Sequence, residues 1–161
     1  MNRSTARMSK FLAVPVALAS AAALSACAPT QTDKPYQPSD GIDVVVGDVK
    51  GINLLVLSDG KGDPGRLLGS FYNGGSDGAT VTVMPDGASS STVSVDPSST
   101  TKLGSGDDAH DVVFDTTNAA PGAVLPVEIT VGDATETVKV PVLDGTLPEY
   151  TTLVPTASAQ G

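Results

Sequence analysis

The stretch VLPVEITVGDATETVKVPVL, Val124 to Leu143, carries the clearest structural signal in the chain. On both sides of a central Gly132-Asp133 pair, valine and isoleucine alternate with other residues, as in a strand with one apolar face. The apolar positions are Val127, Ile129 and Val131 before the pair, and Val138, Val140 and Val142 after it. Two alternating runs joined by two turn residues predict a β-hairpin.

Upstream of this hairpin, the chain continues as short apolar runs separated by Gly, Pro, Asn and Asp. No segment carries the i, i+3, i+4 apolar spacing of an amphipathic helix. The run Ile52 to Leu57 is apolar except at Asn53, which is typical of a central strand covered on both faces. The sequence therefore predicts an all-β domain, an immunoglobulin-like β-sandwich of about seven or eight strands. The predicted strands are Ile42 to Val49, Ile52 to Ser58, Arg66 to Asn73, Ala79 to Met84, Thr92 to Asp96, Asp111 to Asp115, Val124 to Val131 and Thr135 to Leu143.

The first 26 residues have the pattern of a secretory leader. A basic segment with Arg3, Arg7 and Lys10 precedes an apolar run, residues 11–24, that contains one serine. This run is shorter than the roughly 18 residues that a membrane-spanning helix needs. We therefore expect residues 1–26 to act as a signal peptide.

The leader ends in Leu24-Ser25-Ala26-Cys27, which resembles the lipobox of bacterial lipoproteins. The resemblance implies that cleavage occurs before Cys27, that its sulfur carries a diacylglyceryl group, and that the new amino terminus is acylated. One acyl chain holds a bilayer only marginally, whereas two or more hold it firmly. The alternative is simple secretion with one unpaired cysteine, a liability in an oxidising compartment. We expect a lipid anchor on Cys27 and a place on the outer face of the cell membrane.

Two segments flank the predicted sandwich, residues 41–144. Residues 27–40 contain three prolines and no apolar periodicity, so they predict a flexible tether behind the lipidated cysteine. At about 3.3 Å per residue this tether spans roughly 40 Å. Residues 145–161 form a C-terminal tail, in which Tyr150, Leu153 and Val154 are the apolar residues available for packing.

The chain is acidic, with 18 Asp and Glu against nine Lys and Arg and a formal charge of −9. Removal of the three basic residues of the leader leaves six basic residues and a formal charge of −12. Such a surface repels nucleic-acid phosphates, so we expect no nucleic-acid partner. It is also repelled from anionic lipid headgroups, so the covalent anchor is expected to hold the protein at the membrane.

Four segments carry a family resemblance: VVVGDVKGINLLVLSDG, GSFYNGG, PGAVLPVEITV and TVKVPVLDG. In this order they resemble a group of actinobacterial envelope lipoproteins of unknown activity, which are similar to the periplasmic copper chaperones. The resemblance covers roughly Ile42 to Leu143, and its motifs are structural. It implies a cupredoxin-like or immunoglobulin-like sandwich.

The copper chaperones bind Cu(I) through two methionines and two histidines, and one pair forms a His-x-Met step. Here the comparable step is His110-Asp111-Val112, which has valine in the methionine position. Behind the leader, the chain contains one histidine, His110, and one methionine, Met84. Because Cu(I) selects soft thioether and imidazole ligands, this departure leaves at most an incomplete copper site, with one ligand of each kind instead of two.

Two acidic loops are weaker candidates for metal binding. Asp59 to Gly65, DGKGDPG, alternates acids with glycines, but Lys61 and Ser70 stand where a calcium loop needs oxygen ligands of higher charge. A hairpin loop explains the same residues. The second loop, Asp107 to Asp111, places three acids around His110 in the sequence GDDAHD, written here with the preceding glycine. These side chains could be ligands for a divalent ion, and the alternative is a solvated acidic loop.

Catalysis lacks a supporting residue set. The sequence has no G-x-S-x-G elbow for a serine nucleophile and no glycine-rich phosphate loop between a strand and a helix. We therefore expect no enzyme and no cofactor. Two function classes remain: a non-catalytic, lipid-anchored binding or scaffold module that meets an unidentified envelope protein outside the membrane, and a metal-handling protein.

Overall fold

The computed structural model describes residues 40–156, and this part of the chain is all β. No helix in it is long and apolar enough to cross a membrane. Ten strands follow one another: β1 Ile42–Val46, β2 Val49–Leu57, β3 Gly65–Asn73, β4 Ala79–Pro85, β5 Ser91–Val95, β6 Thr100–Leu103, β7 Ala109–His110, β8 Val112–Phe114, β9 Val124–Val131 and β10 Ala134–Leu143.

The strands form two sheets that face each other across one core. The small sheet has the order β5-β4-β9-β10, and all of its pairs are antiparallel. The large sheet contains β1, β2, β3, β6, β7 and β8, with β2 between β1 and β3. The end of β10 links the two sheets, because Val142 and Leu143 pair in parallel with Val56 and Leu57. This arrangement confirms the predicted β-sandwich.

The hairpin of β9 and β10 is confirmed in position and register. Val131 lies opposite Ala134, and the pairing continues without a register shift to Val124 opposite Pro141. Gly132 adopts a left-handed φ of 56°, which glycine accepts without a steric penalty. The turn residues therefore fix which side chains of both strands enter the core.

The sandwich differs from the prediction in one strand boundary and in two additional strands. The predicted strand Ile42 to Val49 is wrong, because it includes the turn at Gly47-Asp48 that separates β1 from β2. Gly47 has the same left-handed φ of 56° as Gly132, so the Gly-Asp signal was present in both places. Strand β6 was not predicted, since its sequence TTKL has little apolar content. Strand β7, Ala109–His110, was not predicted either, and these two strands raise the count from the eight predicted strands to ten.

A bulge interrupts β2 at Asn53. The register against β3 shifts between Ile52 and Leu55, and Asn53 has a φ of 52°. The Asn53 side chain accepts a hydrogen bond from the Gly41 amide at 2.8 Å, and the Asn53 amide donates to Asp43 at 3.0 Å. Across the bulge, Gly69 lies so close that a Cβ there would stand 2.7 Å from two carbonyl oxygens. The bulge is thus stabilised by specific contacts, and its extra residue changes which of the following β2 side chains face the core.

The core between the sheets is aliphatic and includes two phenylalanines, Phe71 and Phe114. From β2 it takes Leu54 and Val56. Leu55 and Leu57 are only 2% and 0% exposed, yet they lie outside this core cluster and point to the other face of the large sheet. The second half of β2 is therefore covered on both faces, as its continuous apolar sequence predicts.

Candidate functional site

Cys27, the predicted lipid attachment point, lies outside the described residues. The leader, residues 1–26, and most of the tether, residues 27–40, lie outside them as well. The lipid anchor therefore stays a prediction from the sequence.

Within residues 40–156, the two soft side chains available for Cu(I) lie on different sheets. His110 is exposed in β7 of the large sheet, where it pairs with Leu103. Met84 is 43% exposed in β4 of the small sheet, where it pairs with Glu128. Val112, in the position of the missing methionine, is 1% exposed and belongs to the core. The residues present do not fit the chaperone ligand set.

In the acidic loop around His110, one of the three acids, Asp111, forms an ion pair. Asp111 receives two hydrogen bonds from the Arg66 guanidinium, at 2.8 Å and 3.3 Å. Asp107 and Asp108 are exposed. Across residues 40–156, no three His, Cys, Asp or Glu side chains group closely enough to hold one metal ion.

The loop Asp59 to Gly65 joins antiparallel strands β2 and β3, which agrees with the hairpin interpretation. Its backbone is tied into the fold: the Gly62 amide donates to the Thr117 carbonyl at 2.8 Å, and the Asp63 amide donates to the Gly60 carbonyl at 3.2 Å. These bonds account for the loop without a metal ion.

A polar crevice of about 440 Å³ opens where three turns meet at one end of the sandwich. The turns are those after β1, β3 and β9, and Asp48 and Asp77 contribute carboxylates to the walls. Buried Asn73 holds one wall in place: its amide nitrogen donates to the carbonyls of Asp77 and Val95, and its oxygen accepts from Gly75. The walls consist mainly of small residues, so this crevice offers polar contacts from the backbone and from short side chains.

The C-terminal segment, residues 145–156, lies against the outer face of the large sheet. Arg66 pairs with Leu57 across β2 and β3, and its guanidinium also donates to the Leu153 carbonyl. The Tyr150 hydroxyl donates to Asp40 at 2.9 Å, next to the start of β1. Burial, together with the hydrogen bond to Asp40 and the charge of that residue, raises the pKa of Tyr150 to about 12. The segment thus connects the end of the domain to its beginning.

The other half of this outer face is open, and we call it the open face. A row of directly paired side chains crosses four strands there: Val45, Lys50, Tyr72 and Thr100, with Lys102 in the next row opposite Ser70. Val45 is 64% exposed, Tyr72 is 40% exposed, and the Lys50 side chain is 45% exposed. The Asp43 carboxylate contacts the Lys50 ammonium at 3.0 Å.

Sequence reasoning missed this open face. Each strand shows the alternation that puts these residues outward, but only the strand order β1-β2-β3-β6 brings them into one row. A cross-strand row depends on pairing partners and register, which a single sequence does not specify for strands that are distant along the chain.

Comparison with known proteins identifies the fold. The chain matches no protein-family model, and no curated protein matches it. Among solved structures, the apo PCuAC domain of PmoF2 matches with a TM-score of 0.51 at 13% identity, covering 66% of this chain and 98% of that domain. The described domain has the fold of a PCuAC domain. A copper-bound PCuAC domain from PmoF2 gives a TM-score of 0.49 at 12% identity, covering 64% of this chain and 98% of that domain.

PCuAC domains are copper chaperone domains with a cupredoxin-like β-sandwich, so the match supports the similarity inferred from the sequence. At 13% identity, the likeness concerns the fold and transfers no ligand or partner to this chain. The positions of His110, Met84 and Val112 therefore decide how far the chaperone chemistry can apply here.

Proposed function

We propose that this protein is a non-catalytic cell-envelope protein, held outside the membrane by lipid on Cys27, that presents a sandwich with the PCuAC fold as a binding module. The separation of His110 and Met84 onto different sheets, with Val112 in the core, is the observation that carries this proposal. A module without the chaperone ligand set keeps the scaffold and offers its surfaces to an envelope partner. The acidic composition and the lipobox-like Leu24-Ser25-Ala26-Cys27 support an extracytoplasmic place.

The anchor is tested by Cys27→Ser in the full chain. A serine hydroxyl does not replace the thiolate that accepts the lipid, so the variant should accumulate unprocessed or leave the membrane fraction. Mass spectrometry of the wild-type amino terminus should find residue 27 with acyl mass and residues 1–26 absent. A mature chain that starts elsewhere, or a Cys27 that reacts freely with thiol reagents, would refute the anchor.

A second candidate function is metal handling, and the fold match favours it over a scaffold of unrelated origin. If it holds, His110 and Met84 are the soft ligands, completed by groups from a partner or a second copy. The test is Cu(I) titration of the protein against a competing chelator. The free thiol of an unlipidated Cys27 binds Cu(I) by itself, so the titration uses Cys27→Ser as its background.

On that background, metal handling predicts a stoichiometric Cu(I) site that Met84→Leu and His110→Gln each weaken. Val45→Ala, an exposed residue of the large sheet, serves as the matched control and should change nothing. Absence of competition with the chelator would leave the binding module as the function. Tight binding that survives both ligand substitutions would exclude the two named ligands.

A further inference from the structure

Basic side chains are unevenly placed on this acidic domain. Residues 40–156 contain 17 of the 18 acids and only five basic residues. Two of these five, Lys50 and Lys102, lie on the open face, where Asp43 is the adjoining acid. Within the described part of the chain, Lys102 has no hydrogen-bond or ion-pair partner. The open face therefore holds two of the five basic side chains of residues 40–156, one paired with Asp43 and one without a partner.

The open face also combines apolar and basic side chains. Its row crosses four strands about 4.8 Å apart, so it is roughly 15 Å wide. Tyr72 lies directly opposite Lys50 and diagonally across from Lys102, and Val45 lies at the β1 edge of the row. Tyrosine with an aliphatic neighbour and flanking lysines is the composition that favours the interface between lipid headgroups and acyl chains.

We propose that the open face rests on the anionic headgroup surface of the membrane that holds the lipid anchor. Lys50 and Lys102 lie near headgroup phosphates, and Tyr72 and Val45 lie at headgroup depth. This inference rests on the proposed lipid anchor and adds an orientation: the large sheet faces the membrane, and the small sheet faces away from it.

The net negative charge does not oppose this orientation. Exposed charges are screened beyond about 8 Å at physiological ionic strength. The two sheets of a sandwich are about 10 Å apart, so acids on the outside of the small sheet lie beyond that distance when the large sheet touches the bilayer. Acids on the outside of the small sheet therefore add little repulsion in this orientation.

The position of the chain entry agrees with this orientation. The chain from Cys27 enters the described domain at Asp40, directly before β1, the edge strand that carries Val45. Twelve residues, 28–39, lie between Cys27 and Asp40, a reach of roughly 40 Å. A short link of this kind raises the effective concentration of the face at the bilayer, so weak contacts from two lysines are sufficient to orient the domain.

The experiment measures lysine acetylation on the full lipidated protein in vesicles of phosphatidylcholine, with and without phosphatidylglycerol. In anionic vesicles, acetylation of Lys50 and Lys102 should slow about fivefold, the factor that corresponds to one lysine held near an anionic surface. High salt should restore the rate. Lys139, exposed on the small sheet, and Lys61, in the β2–β3 loop, are internal controls whose rates should stay unchanged.

Three results would overturn the proposal. The first is protection of Lys139 equal to that of Lys50 and Lys102, and the second is protection of Lys50 and Lys102 that is the same with and without phosphatidylglycerol. The third is protection of these two lysines in native membranes that is lost in vesicles of pure lipid. The last of these would assign the face to a protein partner. If the natural protein carries no lipid, Cys27 can be coupled to a maleimide lipid, because it is the only cysteine. Failure of the anchor and failure of the orientation are then separate results.

A second measurement uses Tyr72→Trp, which introduces the only tryptophan of the chain. Brominated lipid in anionic vesicles should quench its fluorescence, and Lys50→Gln combined with Lys102→Gln should remove most of that quenching. Lys61→Gln combined with Lys139→Gln is the matched control, because it removes the same two charges outside the open face, and it should leave quenching intact. Quenching that persists without Lys50 and Lys102, or that this control abolishes, would contradict the assignment.

Discussion

The outer face of the large sheet has two halves that differ in cover and in composition. In the covered half, Leu55 and Leu57 are at most 2% exposed and the C-terminal segment crosses above them. In the open face, Lys50 and Tyr72 point to solvent from the same strands β2 and β3. The bulge at Asn53 lies between the two halves.

The difference shows how one strand can combine two environments. After the bulge, β2 reads LLVL, Leu54 to Leu57, because both faces are covered. Before it, β2 reads VKGI, Val49 to Ile52, in which Lys50 points outward. The extra residue at the bulge keeps the core side of both halves aligned, so the apolar run marks where the C-terminal segment lies.

The largest expected effect comes from opening the covered half. Leu57→Ala removes a fully buried side chain outside the main core and should lower the free energy of unfolding by about 3 kcal/mol. Val45→Ala, in the open face at 64% exposure, should cost about 0.5 kcal/mol or less. Urea unfolding of both variants measures the contrast. Equal costs would mean that the C-terminal segment does not bury Leu57.

The bulge between the two halves can be disrupted by a substitution at Gly69. Gly69 has a φ of 124°, and a Cβ would stand 2.7 Å from the carbonyl oxygens of Ile52 and Asn53. Gly69→Ala should therefore cost about 2 kcal/mol of unfolding free energy. Gly106→Ala is the matched control, since Gly106 has a φ of 134° but no atom within 4 Å of the added Cβ. The control should cost less, because it adds backbone strain without a collision.

The sequence predicted the sandwich because its strongest signals are local. The β9–β10 hairpin follows from alternation and a Gly-Asp turn, and the doubly covered part of β2 follows from its apolar run. The division of Ile42 to Val49 was missed because Val44, Val45 and Val46 form a continuous run that hides the alternation. Strand β6 was missed because its four residues, TTKL, include one apolar side chain and so show no apolar alternation.

The candidate surfaces were less accessible from the sequence than the fold. His110, Met84 and the acidic loops could be named, but whether they meet depends on which sheet each strand joins. The open face combines residues from β1, β2, β3 and β6, which span residues 42–103. Such a surface is a product of long-range pairing, for which a single sequence holds no local signal.

The attachment of the C-terminal segment can be loosened at Arg66. Arg66→Ala removes the paired hydrogen bonds to Asp111 and the bond to the Leu153 carbonyl. Because the Arg66 side chain is 13% exposed and Asp111 is half exposed, we expect a loss of about 1–2 kcal/mol. Amide hydrogen exchange should accelerate in residues 145–156 and stay unchanged in β9. Lys61→Ala, which removes a loop cation, is the control and should alter neither region.

The smallest effect concerns the bond between Tyr150 and Asp40, and pH distinguishes it. Tyr150→Phe removes only the hydroxyl, so the expected loss near neutral pH is about 0.5–1 kcal/mol. The pKa of Tyr150 is raised to about 12, whereas a tyrosine in the unfolded chain titrates near pH 10. Between these values the folded state retains a proton that the unfolded state has released, so the stability of the wild type falls as pH rises.

The advantage of the wild type over Tyr150→Phe should therefore be constant below about pH 10 and shrink as pH approaches 12. Urea unfolding of both proteins across this range measures the difference in unfolding free energy. The contributions of all other titrating groups cancel in this difference. Asp40→Asn keeps an acceptor for the hydroxyl but removes the charge that helps raise the pKa of Tyr150. The fall in stability should therefore begin near pH 10 in both proteins and should end at a lower pH in the variant than in the wild type. A difference between wild type and Tyr150→Phe that stays flat from pH 9 to pH 12 would show that Tyr150 is solvated and that the C-terminal segment is held by Arg66 alone.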